Sequence, residues 1–417
     1  MKKFSASNPA IPIADHVRPD GSNWTIKEKL WLGLTPQEYK AQFFRNWVNW
    51  IMIGIFVIGV PIILQRFIFG LGTVTHASND YPWGLFLGFG LFGMVPLSAS
   101  GFMLGTTVEI FGRKDFVPIE RLALLNGLLG YFFAVLFLEV DLGMPWRLPY
   151  PMFVSLGPAA VLFLVAWHVA TYLSVQIAEL VPAFCEWFGW LKGKRWIKSI
   201  TVGLVIAGII LSTLHQGALG ALFTYAPYKI HPLWISAEFQ WIHFFCSSIF
   251  AGLSMVIVSS TLVKWTMKWR ADERFLGSVD NLTIGLAKGC SYAMITYLVI
   301  KIIAIAHDQE WEYLLTGWGQ YYLLELGVAV FIPMCLYAVA VKNRWAGLAR
   351  FAAIISVLGI IWNRLNTSMI AYNWELYAEI PHWKEVWICM TIYSLYFLTY
   401  RFILYRLPIV YEWKGER

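Results

Sequence analysis

Residues 198–222 read KSITVGLVIAGIILSTLHQGALGAL, with only Lys198 and His215 able to ionise. As a helix this run is about 37 Å long, against a hydrocarbon layer of about 30 Å. The lysine opens the run and the histidine comes about two turns before its end, so the apolar middle is unbroken. That length and purity describe a spanning helix. Its flanks give it a direction. Lys192, Lys194 and Arg195 precede it, and TYAPYKIHPLW (224–234), rich in proline and aromatics, follows it. Basic residues gather on the cytoplasmic side of a membrane and Trp and Tyr at its interfaces, so the run is expected to point outward.

Similar runs lie near 46–69, 83–111, 119–143, 156–189, 238–265, 279–305, 321–341, 349–372 and 385–405. The connections alternate. One set is short and basic: Arg113 and Lys114; Lys264, Lys268, Arg270 and Arg274; Lys342, Arg344 and Arg350; and, at the end, Arg406, Lys414 and Arg417. The other holds THASNDYPW, GMPWRLPYP, HDQEWEYLLTGWGQ and NWELYAEIPHWKE, where Arg147, Lys229 and Lys384 are the basic residues. Ten runs predict an all-α polytopic membrane protein with both termini in the cytoplasm. The division is a cytoplasmic N-terminal segment (1–45), a transmembrane domain (46–405) and a cytoplasmic tail (406–417). The second to fifth and the sixth to ninth runs each begin outside, which suggests two four-helix bundles with the first and last runs flanking them. The polar first 45 residues, broken by Pro9, Pro12, Pro19 and Pro36, do not have the form of a cleavable signal.

Composition removes several function classes. Hydrophobic residues make up 58% and charged residues only 14%, where soluble chains carry about a quarter charged. Mean hydropathy is +0.59. The net charge of +7 sits in the short basic connections, a pattern of topology rather than of nucleic-acid binding. The five cysteines (Cys185, Cys246, Cys290, Cys335 and Cys389) form neither CxxC nor CxxCH. They are expected to be small apolar helix residues, which argues against c-type haem attachment and cysteine-held iron–sulfur clusters in this chain.

Ionisable groups at membrane depth are costly, so those inside the runs mark candidate sites. The third run ends outward in FLEVDLGMPWRLPYP, placing Glu139 and Asp141 near the outer surface with Trp146 and Arg147 just beyond. His215 and Gln216 lie about two turns below the outer end of the fifth run, and His231 follows in its loop. These residues are expected at one level. Gly217, Ala218, Gly220 and Ala221 are expected to leave room there for a flat ring, with a histidine and a carboxylate to supply protons. A second series runs from the basic side: Glu109, Asn126 and Tyr131, then His168, Tyr172 and Gln176 at spacings of four, with Glu179 close to the same face. Such a ladder is suited to carrying protons, and ordinary interhelix bonding is the plain alternative. Arg364 and Glu325 are expected to form a structural charge pair.

In YPWGLFLGFG (81–90), VDLGMPWRLPYP (140–151), LSTLHQGALGALF with YKIHPLW (211–234) and WNRLNTSMIAYN (362–373), the chain resembles the polysulfide reductase NrfD-like family. The likeness covers most of the chain. Around His215 to Trp234 it is closest to the ten-helix branch, which holds membrane subunits of hydrogenase and menaquinone reductase complexes. The resemblance implies a membrane subunit with no haem or iron–sulfur cluster of its own that handles menaquinone near the periplasmic face of the bacterial inner membrane. It implies a periplasmic ferredoxin-like iron–sulfur partner, with a molybdopterin-like or hydrogenase subunit and a multihaem cytochrome c as further subunits. The segments HQ…HPLW and DxGxxWRLPY carry the implied quinone site: His215, Gln216, His231, Asp141, Glu139, Trp146 and Arg147, with Trp83 from the YPW segment. Ten runs rather than eight set the chain apart from a simple polysulfide-reductase pattern.

Other readings stay open at the level of sequence. The quinone chemistry can run towards reduction, with protons drawn from the cytoplasm, or towards oxidation of quinol. His168, His215 and His243 lie in neighbouring runs and raise the question of b-type haem, which needs two histidines at matched depth. A secondary transporter would use the intramembrane charges but calls for broken helices, which the pattern does not suggest.

Overall fold

The computed structural model of the chain describes residues 24–226, 228–376 and 380–411. Residues 1–23 and 412–417, which include Lys414, Arg417 and most of the predicted N-terminal segment, lie outside the described residues.

Among the described residues ten helices are long and apolar enough to cross a membrane: α1 (Trp47–Phe69), α2 (Phe86–Ile110), α3 (Lys114–Asp141), α4 (Val161–Phe188), α5 (Leu191–Phe223), α6 (Gln240–Thr266), α7 (Glu273–Asp308), α8 (Gly317–Lys342), α9 (Ala346–Ile370) and α10 (Trp383–Arg406). Each overlaps a predicted run, with ends that differ by up to seven residues, most at the start of α5 and of α7. Local chemistry sets the ends. Asn46 caps α1 by accepting from Val48 N at 3.0 Å, Asp272 caps α7 through Phe275 N at 2.7 Å, and His382 with Glu385 forms a reciprocal cap on α10. Gly189, at φ +78°, ends α4 in the left-handed conformation.

The expected architecture holds. Helices α2–α5 pack as one four-helix bundle and α6–α9 as a second; α10 packs on α3, and α1 lies against α10. The bundles share an interface in which α6 meets α2, α3 and α5, and α9 meets α2. The central helices α2, α3 and α6 are accordingly the most buried, whereas α1 and α4 are the least. All five cysteines fall within spanning helices.

Helix continuity departs from expectation. Pro96 sits inside α2, which is interrupted at Ser98–Ala99, and the Ser98 hydroxyl turns back to donate to Met94 O at 2.8 Å. A proline has no N–H to donate, so the turn around it must be repaired by other groups. Widened π turns occupy Phe86–Leu91 and Thr106–Ile110 of α2, Gly327–Phe331 of α8 and Asn366–Ile370 of α9. On the side opposite the basic connections the two bundles are tied together. Ile230 and Tyr372 form an antiparallel bridge, and His231 N donates to Ala371 O at 2.9 Å.

Candidate functional site

At the centre of the first bundle, His215 of α5 is fully buried. Its Nδ1 lies 2.7 Å from Leu211 O. A carbonyl only accepts, so Nδ1 carries the proton and Nε2 is the acceptor. Tyr131 of α3 donates its hydroxyl to that Nε2. Gln216 then donates to the Tyr131 oxygen at 3.1 Å and to Val95 O at 3.0 Å. The result is a directed chain, Gln216 to Tyr131 to His215 to the Leu211 carbonyl. Sequence reading assigned Tyr131 to the ladder and His215 to the ring site; the structure joins them.

Beside this chain runs the predicted face of α4. The Tyr172 ring lies 5.0 Å from that of Tyr131 and 5.5 Å from that of His215. Below it Gln176 reaches between α2 and α3, so close that a Cβ on Gly127 would stand 2.5 Å from its Nε2. Among the described residues, the Tyr172 hydroxyl, both polar atoms of Gln176, the Ser212 hydroxyl, Glu179 Oε2 and His168 Nδ1 are buried with no partner in hydrogen-bond geometry. Glu179 lies within electrostatic range of Glu120, and Glu120 in turn of Glu109 and Lys114 at the basic end. Glu109 pairs with Lys114 at 3.3 Å. Asn126 is the exception. It donates to Ser259 of α6 at 2.8 Å and accepts from Tyr400 of α10 at 2.6 Å, so both ends of its amide are spent joining helices. Sequence reading missed Glu120 and Ser212. Each falls near the ladder only because α3 and α5 pack on α4, a relation no spacing within one helix records.

The outer candidates divide among separate surroundings instead of forming one contact cluster. Asp141 senses Arg66 of α1 and Glu385 of α10, while Arg66 closes the end of α3 by donating to the Val140 and Leu142 carbonyls. Glu385, missed by sequence reading, is buried and accepts from Thr75 at 2.8 Å and Leu85 N at 2.9 Å. Its carboxylate lines a small outer cleft with Trp83, Tyr81, His76 and Met369. Trp83 also packs edge-on to Phe223, about two turns above His215 on α5, with ring centroids 5.0 Å apart. Glu139 is half-buried, and Trp146 and Arg147 are exposed, with the Arg147 guanidinium over the Tyr150 ring at 5.5 Å. The space expected beside Gly217 and Gly220 is filled. A Cβ on Gly220 would stand 2.6 Å from Gln240 O and 2.9 Å from the Phe244 Cβ, so the small residues admit helix α6, not a ring.

His231 belongs to the outer cap of the second bundle. It is fully buried among Trp234, Tyr313, Trp318 and Trp374. Burial lowers its pKa to about 4, so the ring is neutral at pH 7. Beneath it, Trp234 donates to Glu325 at 2.6 Å, and Asn363 and Asn366 donate to the same carboxylate at 2.6 and 2.5 Å. The expected direct pair of Arg364 with Glu325 is therefore corrected. Arg364 donates to Asn363 Oδ1 at 2.7 Å and Ser247 at 2.6 Å and lies 3.7 Å from the Phe244 ring centroid. Asn363 stands between the charges because neutral N–H groups already surround the carboxylate.

Of the histidines considered for haem, His215 and His243 stand in different bundles. Both nitrogens of His215 are engaged by Leu211 and Tyr131, whereas His243 faces Tyr297 in the second bundle.

Comparison with known proteins gives a consistent picture. The family model described as "Polysulphide reductase, NrfD" matches residues 73–374. The chain is 42% identical to a protein of Nitratidesulfovibrio vulgaris over 361 residues, 86% of this chain and 93% of that one. It is 27% identical over 361 residues to the probable Ni/Fe-hydrogenase 2 b-type cytochrome subunit of Escherichia coli, covering 85% and 90% of the two chains. It is 25% identical over 350 residues to the menaquinone reductase integral membrane subunit of N. vulgaris, covering 76% and 80%.

Proposed function

The chain belongs to the NrfD polysulphide reductase family, and from that premise we propose that it is the quinone-handling membrane subunit of a respiratory oxidoreductase complex. Its substrate is menaquinone, the substrate class named for one relative. A ferredoxin-like iron–sulfur subunit docked on the outer face supplies the electrons, and a molybdopterin-like or hydrogenase subunit or a multihaem cytochrome feeds that partner. The basic connections lie in the cytoplasm, which puts the described ends of the chain on that side of the bacterial inner membrane.

The observation that carries the reading is the directed chain Gln216–Tyr131–His215 beside the unpartnered line Tyr172–Gln176–Glu179. Reducing a quinone to a quinol takes two electrons and two protons. Tyr131 and His215 are the groups able to deliver protons at depth. The polar atoms of α4 left without protein partners are the kind that hold water and pass protons along. Trp83 offers a flat wall between the outer cleft and α5. Asp141, Glu139, Trp146, Arg147 and His231 stand apart from this chain and serve the outer face, where the electron-donating partner binds.

Electrons entering from outside and protons drawn from inside make menaquinone reduction electrogenic. The test is the purified complex in liposomes with a potential-sensitive dye. Reduction of a menaquinone analogue should build a potential, inside-out orientation should reverse its sign, and turnover without any potential would defeat the proton-uptake part of the proposal. The same vesicles give the direction of electron flow, because a quinol-oxidising subunit would turn over only with quinol supplied.

A further inference from the structure

At the basic side of the membrane a cavity of about 430 Å³ opens between the helix Pro36–Arg45, the foot of α1, the foot of α10 and the turn after α6. Its polar lining includes Arg45, Arg401, Arg406 and Asn49, and among the described residues no acidic side chain borders it. Its apolar walls are aromatic: Tyr39, Phe43, Trp269, Phe402 and Tyr405. The function proposed above does not use it.

The three arginines are held differently. Arg406 is buried, with its guanidinium carbon 3.8 Å from the Phe402 ring centroid, and donates to Leu30 O at 2.9 Å and to the Tyr39 hydroxyl at 3.3 Å. It forms the fixed wall. Arg401 gives one N–H to Asn49 Oδ1 at 2.7 Å and keeps further donors of its five. Arg45, at the end of its helix, is exposed and has no ion-pair partner among the described residues. The N-terminus of α1 begins at the same place, so its dipole adds positive potential. Around the mouth, Trp47 and Trp50 are 71% and 55% exposed, which sets the cavity at the headgroup level of a bilayer.

Guanidinium groups lining one cavity, with no counter-carboxylate among the described residues, in an aromatic-walled cleft, fit a phosphate ester with an apolar body. We propose that this cavity binds the headgroup of an anionic phospholipid from the leaflet on the basic side, with the phosphate between Arg45 and Arg401 and the acyl chains running along α1 and α10. Bound there, the lipid fastens the N-terminal helix to α10, which otherwise meet through Arg406.

The experiment uses the full-length chain in detergent micelles, with native mass spectrometry reading retained lipid against added phosphatidylglycerol, phosphatidylcholine and inorganic phosphate. Expected is retention of phosphatidylglycerol over phosphatidylcholine, and about thirtyfold weaker retention in Arg45→Gln/Arg401→Gln, since each surface cation contributes about fivefold. Arg45→Lys/Arg401→Lys should recover part of the affinity, while circular dichroism and gel filtration verify that all variants are folded. Equal retention of both lipids, or a double variant indistinguishable from wild type, overturns the proposal. Displacement of the lipid by millimolar inorganic phosphate would keep the phosphate site and transfer it from a lipid to a soluble ligand.

Discussion

Tyr131 donates its hydroxyl to Nε2 of His215, and the Leu211 carbonyl fixes the histidine tautomer that makes this direction obligatory. A tyrosine on α3 thus stands between the α5 histidine and the line of polar groups on α4. Proton delivery through this pair requires the hydroxyl itself, because the ring packing alone transfers nothing. Tyr131→Phe keeps the ring contacts with Tyr172. It is expected to lower menaquinone turnover in the assembled complex by about a hundredfold, the scale of one general acid. Unchanged helical content by circular dichroism would show that the loss is chemical.

Gln176 is fully buried, and among the described residues neither its donor nor its acceptor has a partner in hydrogen-bond geometry. Replacing it by leucine, Gln176→Leu, fills the same space with an apolar group and interrupts the line. The expected result is a menaquinone reaction about tenfold slower in building membrane potential, with inhibitor binding at the quinone site preserved. A variant that pumps charge at the wild-type rate would move proton uptake away from α4.

His231 makes stability depend on pH. In the folded chain it stays neutral down to about pH 4, whereas its ordinary value is 6.5. Between these values the unfolded chain binds more protons, so stability falls as pH drops through that window and is level above about pH 7. Thermal unfolding followed by tryptophan fluorescence should show a lower midpoint at pH 5 than at pH 7. His231→Leu should flatten the difference.

Asn363 links Arg364 to Glu325, so Asn363→Leu strips one partner from each buried charge. Breaking a buried charged network costs about 3–5 kcal/mol. Unfolding in detergent should register a correspondingly lower midpoint. Asn363→Asp, which can still accept from Arg364 but repels Glu325, should be no better.

Gly220→Val places two methyl groups where α6 already stands. Overpacking of this kind costs about 1–3 kcal/mol and separates the two bundles at their shared interface. Reduced thermal stability with loss of menaquinone turnover is expected, against little effect from Gly203→Ala, whose Cβ would meet nothing within 4 Å.

The sequence by itself determined the ten spans, with their ends placed to within seven residues, because a 20-residue apolar run has one stable form in lipid and every backbone polar group must be satisfied within it. It also determined which helices carry ionisable groups, and the α4 ladder, since a spacing of four is a property of a single helix. Contacts between helices were decided only by the tertiary structure. Tyr131 meets His215, Glu120 stands near Glu179, Asn126 turns away to Ser259 and Tyr400, and Asn363 enters between Arg364 and Glu325. Depth along a helix can be counted from residue number. Rotation about its axis, which decides the neighbour a side chain faces, is set by how the small residues let one helix approach the next. Gly220 is the plain case: in sequence it reads as open space, and in the fold it is where α6 comes in.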